Sequence, residues 1–376
     1  MICPQDRDRH AAGSTEFAVR FAGPDLDVGG VDARALLGEL ASLPADGVVG
    51  TKDRSALLAA LLAERRGLPG PSPRAIVSSQ HKPTSRAIQQ RVAPEATPRF
   101  ALLEGEPPFP PPWWVKPVVG RLSQEARRAD SVADLVGLDE EREYRDEYGD
   151  LAGLPPDDVR GFLVEELVSG EEVTLEGYVH EGRVTVIGVT DSVKYAGTSS
   201  FERFEYPSAL SDDRLHELGR QAETLVRAHG LDTCFFNIES FVPAGGPAKI
   251  VELNARIASQ FSPLVEAVHG RSTYDVLFAL ACGRDPGWDG NAPNGVAISY
   301  VMRVFEDALV ESVPEPQQGL EVLVRPGALL SEQGTNDTAS YRLAIFTEWA
   351  ETREGALRRC SERVRSLRFE LAAPVR

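Results

Sequence analysis

Two glutamates and two asparagines stand where a β-hairpin would set them face to face. The segment Cys234-Phe-Phe-Asn-Ile-Glu-Ser-Phe-Val242 is followed by a Pro-Ala-Gly-Gly-Pro turn and then by Lys249-Ile-Val-Glu-Leu-Asn-Ala-Arg256. If the turn is symmetric about Gly245 and Gly246, antiparallel register puts Glu239 opposite Glu252 and Asn237 opposite Asn254. Side chains alternate with period two, so all four share one face. Carboxylates opposed across a ladder repel each other and call for a cation between them. Hard divalent ions such as Mg²⁺ take oxygen ligands and combine a few carboxylates with substrate phosphates. Arg256 continues the parity, and its planar fork suits a phosphate oxygen or a substrate carboxylate. The competing reading is the exposed polar face of an ordinary hairpin, because charged strand faces are common. The apolar opposite face, with Ile238, Val251 and Leu253, favours a polar face that looks into a cleft. A bulge in the turn would shift the register.

Other groups are weaker signals. Lys116, in Trp113-Trp-Val-Lys-Pro117, suits phosphate binding or a snorkelling strand end. Lys82 lies on the polar stretch 78–85, where a solvated lysine needs no explanation. Lys194 and Tyr195 precede a Gly/Ser-rich loop that suits either a substrate cover or a plain surface loop. His269, before Gly270, reads as a helix C-terminal residue rather than a catalyst. Trp113 and Trp114 read as packing between lobes.

The elements that must position these groups follow from periodicity. Strands are expected at Glu16–Ala22, Asp46–Gly50, Trp113–Pro117, Phe162–Val168, Val173–Val179 and Arg183–Val189. Helical spacing covers Val31–Leu43, Ser55–Arg66 with Gly67 at its end, Pro83–Arg91, Ser131–Val136 and Leu215–His229. The start of the chain thus reads as a short β-α-β-α lobe, and prolines thicken from Pro69 to Pro112 at a lobe boundary. The acidic stretch Asp139–Asp150 reads as a solvated loop without an apolar face. Ala297–Arg376 reads as a C-terminal α/β lobe, with a strand near Val296–Val304 and a helix over Glu351–Leu367. There is no internal repeat.

Composition sets the outer limits. The 376 residues, at roughly 100 to 200 residues per domain, predict two to four units. With 42% hydrophobic and 26% charged residues the chain reads as globular. A net charge of -17 repels phosphate backbones and anionic lipid, which argues against nucleic acid and membrane partners. Cys3, Cys234, Cys282 and Cys360 form no CxxC pair, against a zinc site or a disulfide framework and in favour of a reducing cytoplasm. The start lacks a secretory apolar run, and no later run reaches the length of a membrane span.

Glu252-Leu-Asn-Ala-Arg256, preceded by Asn237-Ile-Glu239, resembles the ATP-grasp superfamily. Further pieces occur in the order that family has them. Leu61–Pro73 resembles the helix and loop before the ATP-grasp domain, Lys82 its first nucleotide-binding lysine and Trp114-Val-Lys-Pro117 its second. Phe162-Leu-Val-Glu-Glu-Leu-Val-Ser-Gly-Glu-Glu172 is similar to the hinge that meets adenine and ribose. Within the superfamily the likeness is to carboxylate-amine ligases that make dipeptides or related amides, supported by Phe204-Glu-Tyr-Pro-Ser208 and Arg256-Ile-Ala-Ser259. The phosphate loop departs from the family pattern. Gly120-Arg-Leu-Ser-Gln-Glu125 has one glycine where backbone freedom helps amides cradle phosphate, and Glu125 would face that phosphate with like charge.

The resemblance implies an α/β (α+β) ATP-grasp fold. Its parts would be a short N-terminal lobe at 1–75, an ATP-grasp small subdomain at 76–168, a large subdomain with the metal site at 169–290, and a C-terminal lobe at 291–376. Lys82, Lys116, Ser123, Glu165, Glu166, Leu167, Val168 and Glu172 would hold ATP. Glu239, Glu252 and Asn254 would hold Mg²⁺ or Mn²⁺, and Arg256 and Lys116 would serve catalysis. Lys194, Tyr195, Arg256 and Ser259 would face substrate. The implied activity is an ADP-forming ligation of a small carboxylic acid to an amine, both amino-acid-like, in a cytoplasmic protein for which a homodimer is left open. Two other readings stand beside it: a catalytically weak ATP-binding regulator of the same fold, and a carboxylase-type enzyme.

Overall fold

The computed structural model describes residues 18–19, 32–120, 125–138, 142–289, 292–333 and 340–373. In chain order the described helices are α1 (Ala33–Leu40), α2 (Asp53–Arg66), α3 (Pro73–Gln80), α4 (Lys82–Val92), α5 (Arg142–Ala152), α6 (Asp212–His229), α7 (Ser262–His269), α8 (Thr273–Ala281) and α9 (Arg353–Ser366). The strands are β1 (Phe100–Leu102), β2 (Trp113–Pro117), β3 (Arg127–Ala129), β4 (Phe162–Glu166), β5 (Glu171–His180), β6 (Arg183–Lys194), β7 (Phe201–Tyr206), β8 (Cys234–Val242) and β9 (Lys249–Asn254). They continue with β10 (Val296–Val304), β11 (Leu309–Ser312), β12 (Leu320–Val322), β13 (Tyr341–Ala350) and β14 (Glu370–Ala372). The chain divides into two compact units: Met1–Gly188 with Leu210–Ser259 and Ser272–Asp289, and Val189–Ala209 with Gln260–Arg271 and Gly290–Arg376.

In the first unit, α2 starts where the Lys52 amide donates to Ser55 Oγ at 3.0 Å and the Ser55 hydroxyl lies 3.0 Å from the Lys52 carbonyl. It ends at Gly67 in the left-handed conformation, φ 64°. Gly50 is required just before it, because a Cβ there would lie 2.1 Å from the Ser55 backbone. That close approach sets where the first turn of α2, and so Asp53, projects. Two expectations for this end of the chain change. Asp46–Gly50 forms no strand, so the described part of this lobe is helical. The expected strand at 16–22 lies almost wholly outside the described residues.

A four-stranded antiparallel sheet, ordered β1-β4-β2-β3, packs Phe109, Trp113, Val115, Ala129, Phe162 and Val164 into one cluster. Trp113 therefore belongs to the interior of this layer, with its indole N–H donated to the Phe109 carbonyl at 2.9 Å, rather than to a seam between lobes. The acidic stretch also differs from expectation: beyond the undescribed 139–141 it forms α5, with Tyr144, Arg145, Tyr148 and Leu151 buried. Charged residues mask its apolar face in sequence, and only the packed chain shows their partners: Arg145 binds Glu125 and stacks over Phe162, while Glu147 binds the buried Arg54.

The second layer of the first unit is the antiparallel run β9-β8-β5, with the start of β6 beside β5. The expected register holds: Glu239 is paired with Glu252 and Asn237 with Asn254. A bulge does occur, but on the turn side of Glu239, so Ser240 pairs with Ile250 and Val251 falls out of the ladder. The face that carries the glutamates is preserved.

In the second unit the end of β6 continues through β7, β10, β13 and β12. Helix α9 covers this sheet through Ile298, Phe346, Ala350, Ala356, Cys360 and Leu367. His269 ends α7, which is closed by left-handed Gly270, and its Nε2 lies 2.8 Å from the Tyr206 hydroxyl. Among the described residues no helix is long and apolar enough to cross a membrane.

Candidate active site

Strands β5, β8 and β9 present one acidic face. Thr174 pairs with Glu239 and Glu176 with Asn237, so Glu172, Glu176, Glu239, Asn237, Glu252 and Asn254 share it by strand parity. Asn254 Nδ2 donates to Asn237 Oδ1 at 3.1 Å and lies 3.4 Å from Glu239 Oε1. Burial, then the charges of Glu252 and Glu172, push the Glu239 carboxyl well above the ordinary carboxylate range. The protein thus spends energy to hold opposed carboxylates, which a bound cation would relieve. Among the described residues no group of three His, Cys, Asp or Glu side chains gathers as a metal site. Two carboxylates and an amide oxygen fit an ion whose remaining ligands are phosphate and water oxygens.

Cations line this face. Lys82, the first residue of α4, sets its Nζ 3.5 Å from Glu252 Oε1. Lys116 lies on β2, with Nζ 3.0 Å from Glu165 Oε2 and 3.1 Å from the Val251 carbonyl. Burial pushes the Lys116 ammonium down to about 8, against the opposing pull of Glu165. Arg86, one helical turn after Lys82, clamps Glu165 through Nε at 2.6 Å and donates to the Val251 carbonyl at 2.7 Å. The bulge explains this contact, because leaving the ladder frees the Val251 carbonyl for two cations. Burial opposes the charge of Glu165, but Arg86 and Lys116 outweigh it and hold the carboxyl below its usual range.

Arg256 donates from Nε to Asp53 Oδ1 at 2.6 Å, with Asp53 on the first turn of α2. Burial disfavours the guanidinium charge, but Asp53, Glu252 and Glu239 more than offset it and raise the group above its ordinary value. The Arg256 carbonyl accepts from Asn237 Nδ2 at 2.9 Å, which pins the turn after β9. Ser259, half-buried, closes the same turn.

At the end of β4, the Glu166 amide donates to Arg99 O and the Leu167 amide to Pro112 O. The Glu166 side chain pairs with Arg99 at 2.7 Å. The Val168 N–H, by contrast, has no partner among the described residues. Ser123 lies outside the described residues. Glu125, expected to repel phosphate, is bound at 2.6 Å by the buried Arg145. Lys194 and Tyr195 belong to the second unit, where Lys194 Nζ sits 5.4 Å over the Phe201 ring and the Tyr195 hydroxyl donates to Val301 O at 3.0 Å.

Three residues at this site escaped the sequence reading. Arg86 was signalled by its i,i+4 spacing from Lys82. Glu176 shares parity with Glu172, but a glutamate on a strand usually faces water. Asp53 carried no signal, since the contact it makes spans 203 positions. Glu176 is 2% exposed, its Oε1 accepts from the Ala258 amide at 3.3 Å, and its Oε2 has no hydrogen-bond partner. Burial pushes its carboxyl from 4.5 up to about 8. A folded-state value raised above the unfolded one gives stability that is complete below the unfolded value and is lost as pH rises through the folded one. Glu176→Gln should therefore melt close to the parent at pH 5 and increasingly above it toward pH 9. A constant difference across that range in thermal melts would remove the assignment of a buried, proton-retaining carboxyl.

Residues 109–263 match the ATP-grasp domain family. The fold also agrees with several solved structures. An L-amino acid ligase from Bacillus licheniformis is 18% identical, with 91% of this chain and 86% of that chain covered and a TM-score of 0.73. Phosphoribosylglycinamide synthetase from Anaerococcus prevotii is 16% identical over 91% and 87% of the two chains, TM-score 0.66. The biotin carboxylase domain of 2-oxoglutarate carboxylase from Hydrogenobacter thermophilus, solved with MgADP, ADP and bicarbonate, is 15% identical over 93% and 81%, TM-score 0.67. No curated protein matches the sequence.

Proposed function

We propose that the chain is an ATP-dependent, ADP-forming ligase that joins a small carboxylic acid to an amine, both amino-acid-like, through an acyl phosphate. The observation that carries this reading is the pairing of Glu239 with Glu252 on one face with Asn254, ringed by Lys82, Lys116 and Arg256. The similarity to an L-amino acid ligase supports the choice of an amine acceptor.

In this reading Glu239, Glu252 and Asn254 hold Mg²⁺, which would neutralise phosphate charge and align the triphosphate. Lys82 and Lys116 bind phosphate oxygens, and the free Val168 amide meets adenine beside the backbone of Glu165 to Leu167. Glu172 accepts from the ribose. Arg256 holds the substrate carboxylate against the transferring phosphoryl group, where charge develops and a preorganised guanidinium is worth most. The segments 1–75, 76–168, 169–290 and 291–376 act as N-terminal lobe, small subdomain, metal-bearing subdomain and C-terminal lobe. Ser259 completes the substrate wall, and the protein works in the cytoplasm.

The deciding experiment is a phosphate-release screen with Mg²⁺ and ATP over paired acids and amines, with bicarbonate as a separate arm. Release that requires both an amino acid and an amine is the expected result. Nucleotide binding by calorimetry without release from any pair would leave a regulator of the same fold, and release driven by bicarbonate alone would move the chain to the carboxylases.

A further inference from the structure

The ion pairs of the site fall into two kinds. Arg86 and Glu165 are closed off, with side chains 4% and 3% exposed. Arg256 and Asp53 are open, at 23% and 20%, and unevenly matched: one contact is 2.6 Å and the second 3.5 Å. Both heads of the second pair therefore remain reachable from solvent, unlike those of the first. Yet Asp53 itself is firmly placed. It is the first residue of α2, and its carbonyl accepts from Gln80 Nε2 at 2.7 Å. Gln80 Oε1 in turn accepts from the buried Tyr148 hydroxyl at 3.0 Å. A placed carboxylate therefore stands beside a placed guanidinium, and both are still reachable from solvent.

An α-amino acid carries a carboxylate and an ammonium one carbon apart, and this pair is its electrostatic complement. We propose that Arg256 and Asp53 together read the zwitterion of an α-amino acid, Arg256 taking the carboxylate that will be activated and Asp53 the α-ammonium. The inference rests on the ligase reading for the fate of that carboxylate, but not for its binding. It gives the helical N-terminal lobe a task, which is to present Asp53 to Arg256. It also orders the reaction. An α-amine held as ammonium by Asp53 has no lone pair, so in the ligase reading the attacking amine comes from the second substrate.

The alternative task for Asp53 is that of a counter-ion which merely aims Arg256, and the two separate by substrate. Each amino acid is paired with its counterpart lacking the α-amino group, such as alanine with propionate and phenylalanine with 3-phenylpropionate. Binding is followed by calorimetry with Mg²⁺ and a non-hydrolysable ATP analogue, and turnover by phosphate release with hydroxylamine as the amine. The parent protein should prefer the amino acid at least tenfold. Asp53→Asn should shrink that preference by about ten- to a hundredfold, the size of one charge-assisted hydrogen bond, and Asp53→Glu should restore part of it. Asp53→Ser is a second neutral variant suited to a helix start, and melting temperatures report the folding of all three. Equal loss on both members of each pair, or a parent protein indifferent to the α-amine, overturns the inference. Preference in binding without phosphate release from any acid supports the zwitterion site and overturns the ligase reading instead.

Discussion

Glu252→Ala is expected to lower substrate-dependent release of ADP and phosphate by about a thousandfold or more, because it deletes one of the two opposed carboxylates that would seat the metal. The same change should not unfold the protein. The Glu252 side chain is 35% exposed, its ion pair with Lys82 is 3.5 Å long, and its charge is among the causes that push the Glu239 carboxyl up. Removing it relieves that repulsion, so the melting temperature should stay level or rise. Loss of turnover together with retained or increased stability is the signature of a residue kept for chemistry at the expense of the fold. Full turnover in the alanine variant would sink the metal assignment and with it the ligase reading.

Arg86→Met is expected to cost about 3 kcal/mol of stability, the scale on which breaking a buried charge pair from one side destabilises a protein. The reason is geometric. Arg86 supplies two hydrogen bonds to Glu165, one to Gln89 and one to the Val251 carbonyl, all at a nearly closed site. Lys116 would remain as the partner of Glu165, but a buried carboxylate with one ammonium is poorly compensated. The prediction is checked by a double-mutant cycle in urea. In a Glu165→Gln background the same Arg86→Met change should cost far less, since no buried charge is then stranded. Equal costs in both backgrounds would show that Arg86 acts by packing and not through Glu165. Because Arg86 also fixes Lys116 through their shared partners, the variant should raise the KM for ATP more than it lowers kcat.

The hairpin shows where local pattern is sufficient. Alternation, a Gly-Gly turn and two Asn/Glu pairs determine which residues face each other, because side-chain parity in a strand admits two outcomes and the apolar residues select one. The bulge beside Glu239 was not readable, since it depends on where Arg86 and Lys116 arrive from other elements to take the freed Val251 carbonyl. The acidic stretch 142–152 shows the opposite limit. Its charges read as a solvated face, whereas in the folded chain Arg145 and Glu147 find partners in Glu125 and Arg54, and Tyr144 and Tyr148 are buried.

The sequence by itself determined the helices near 55–66 and 215–229 and the shared face of Glu239, Glu252, Asn237 and Asn254, because each depends on spacing over a few residues. Only the tertiary structure decided which charges meet. Arg86 with Glu165, Asp53 with Arg256 and the Ala258 amide with Glu176 join segments far apart in the chain. No local period encodes such a contact: it exists only once packing has brought the two segments together and excluded the water that would otherwise screen them.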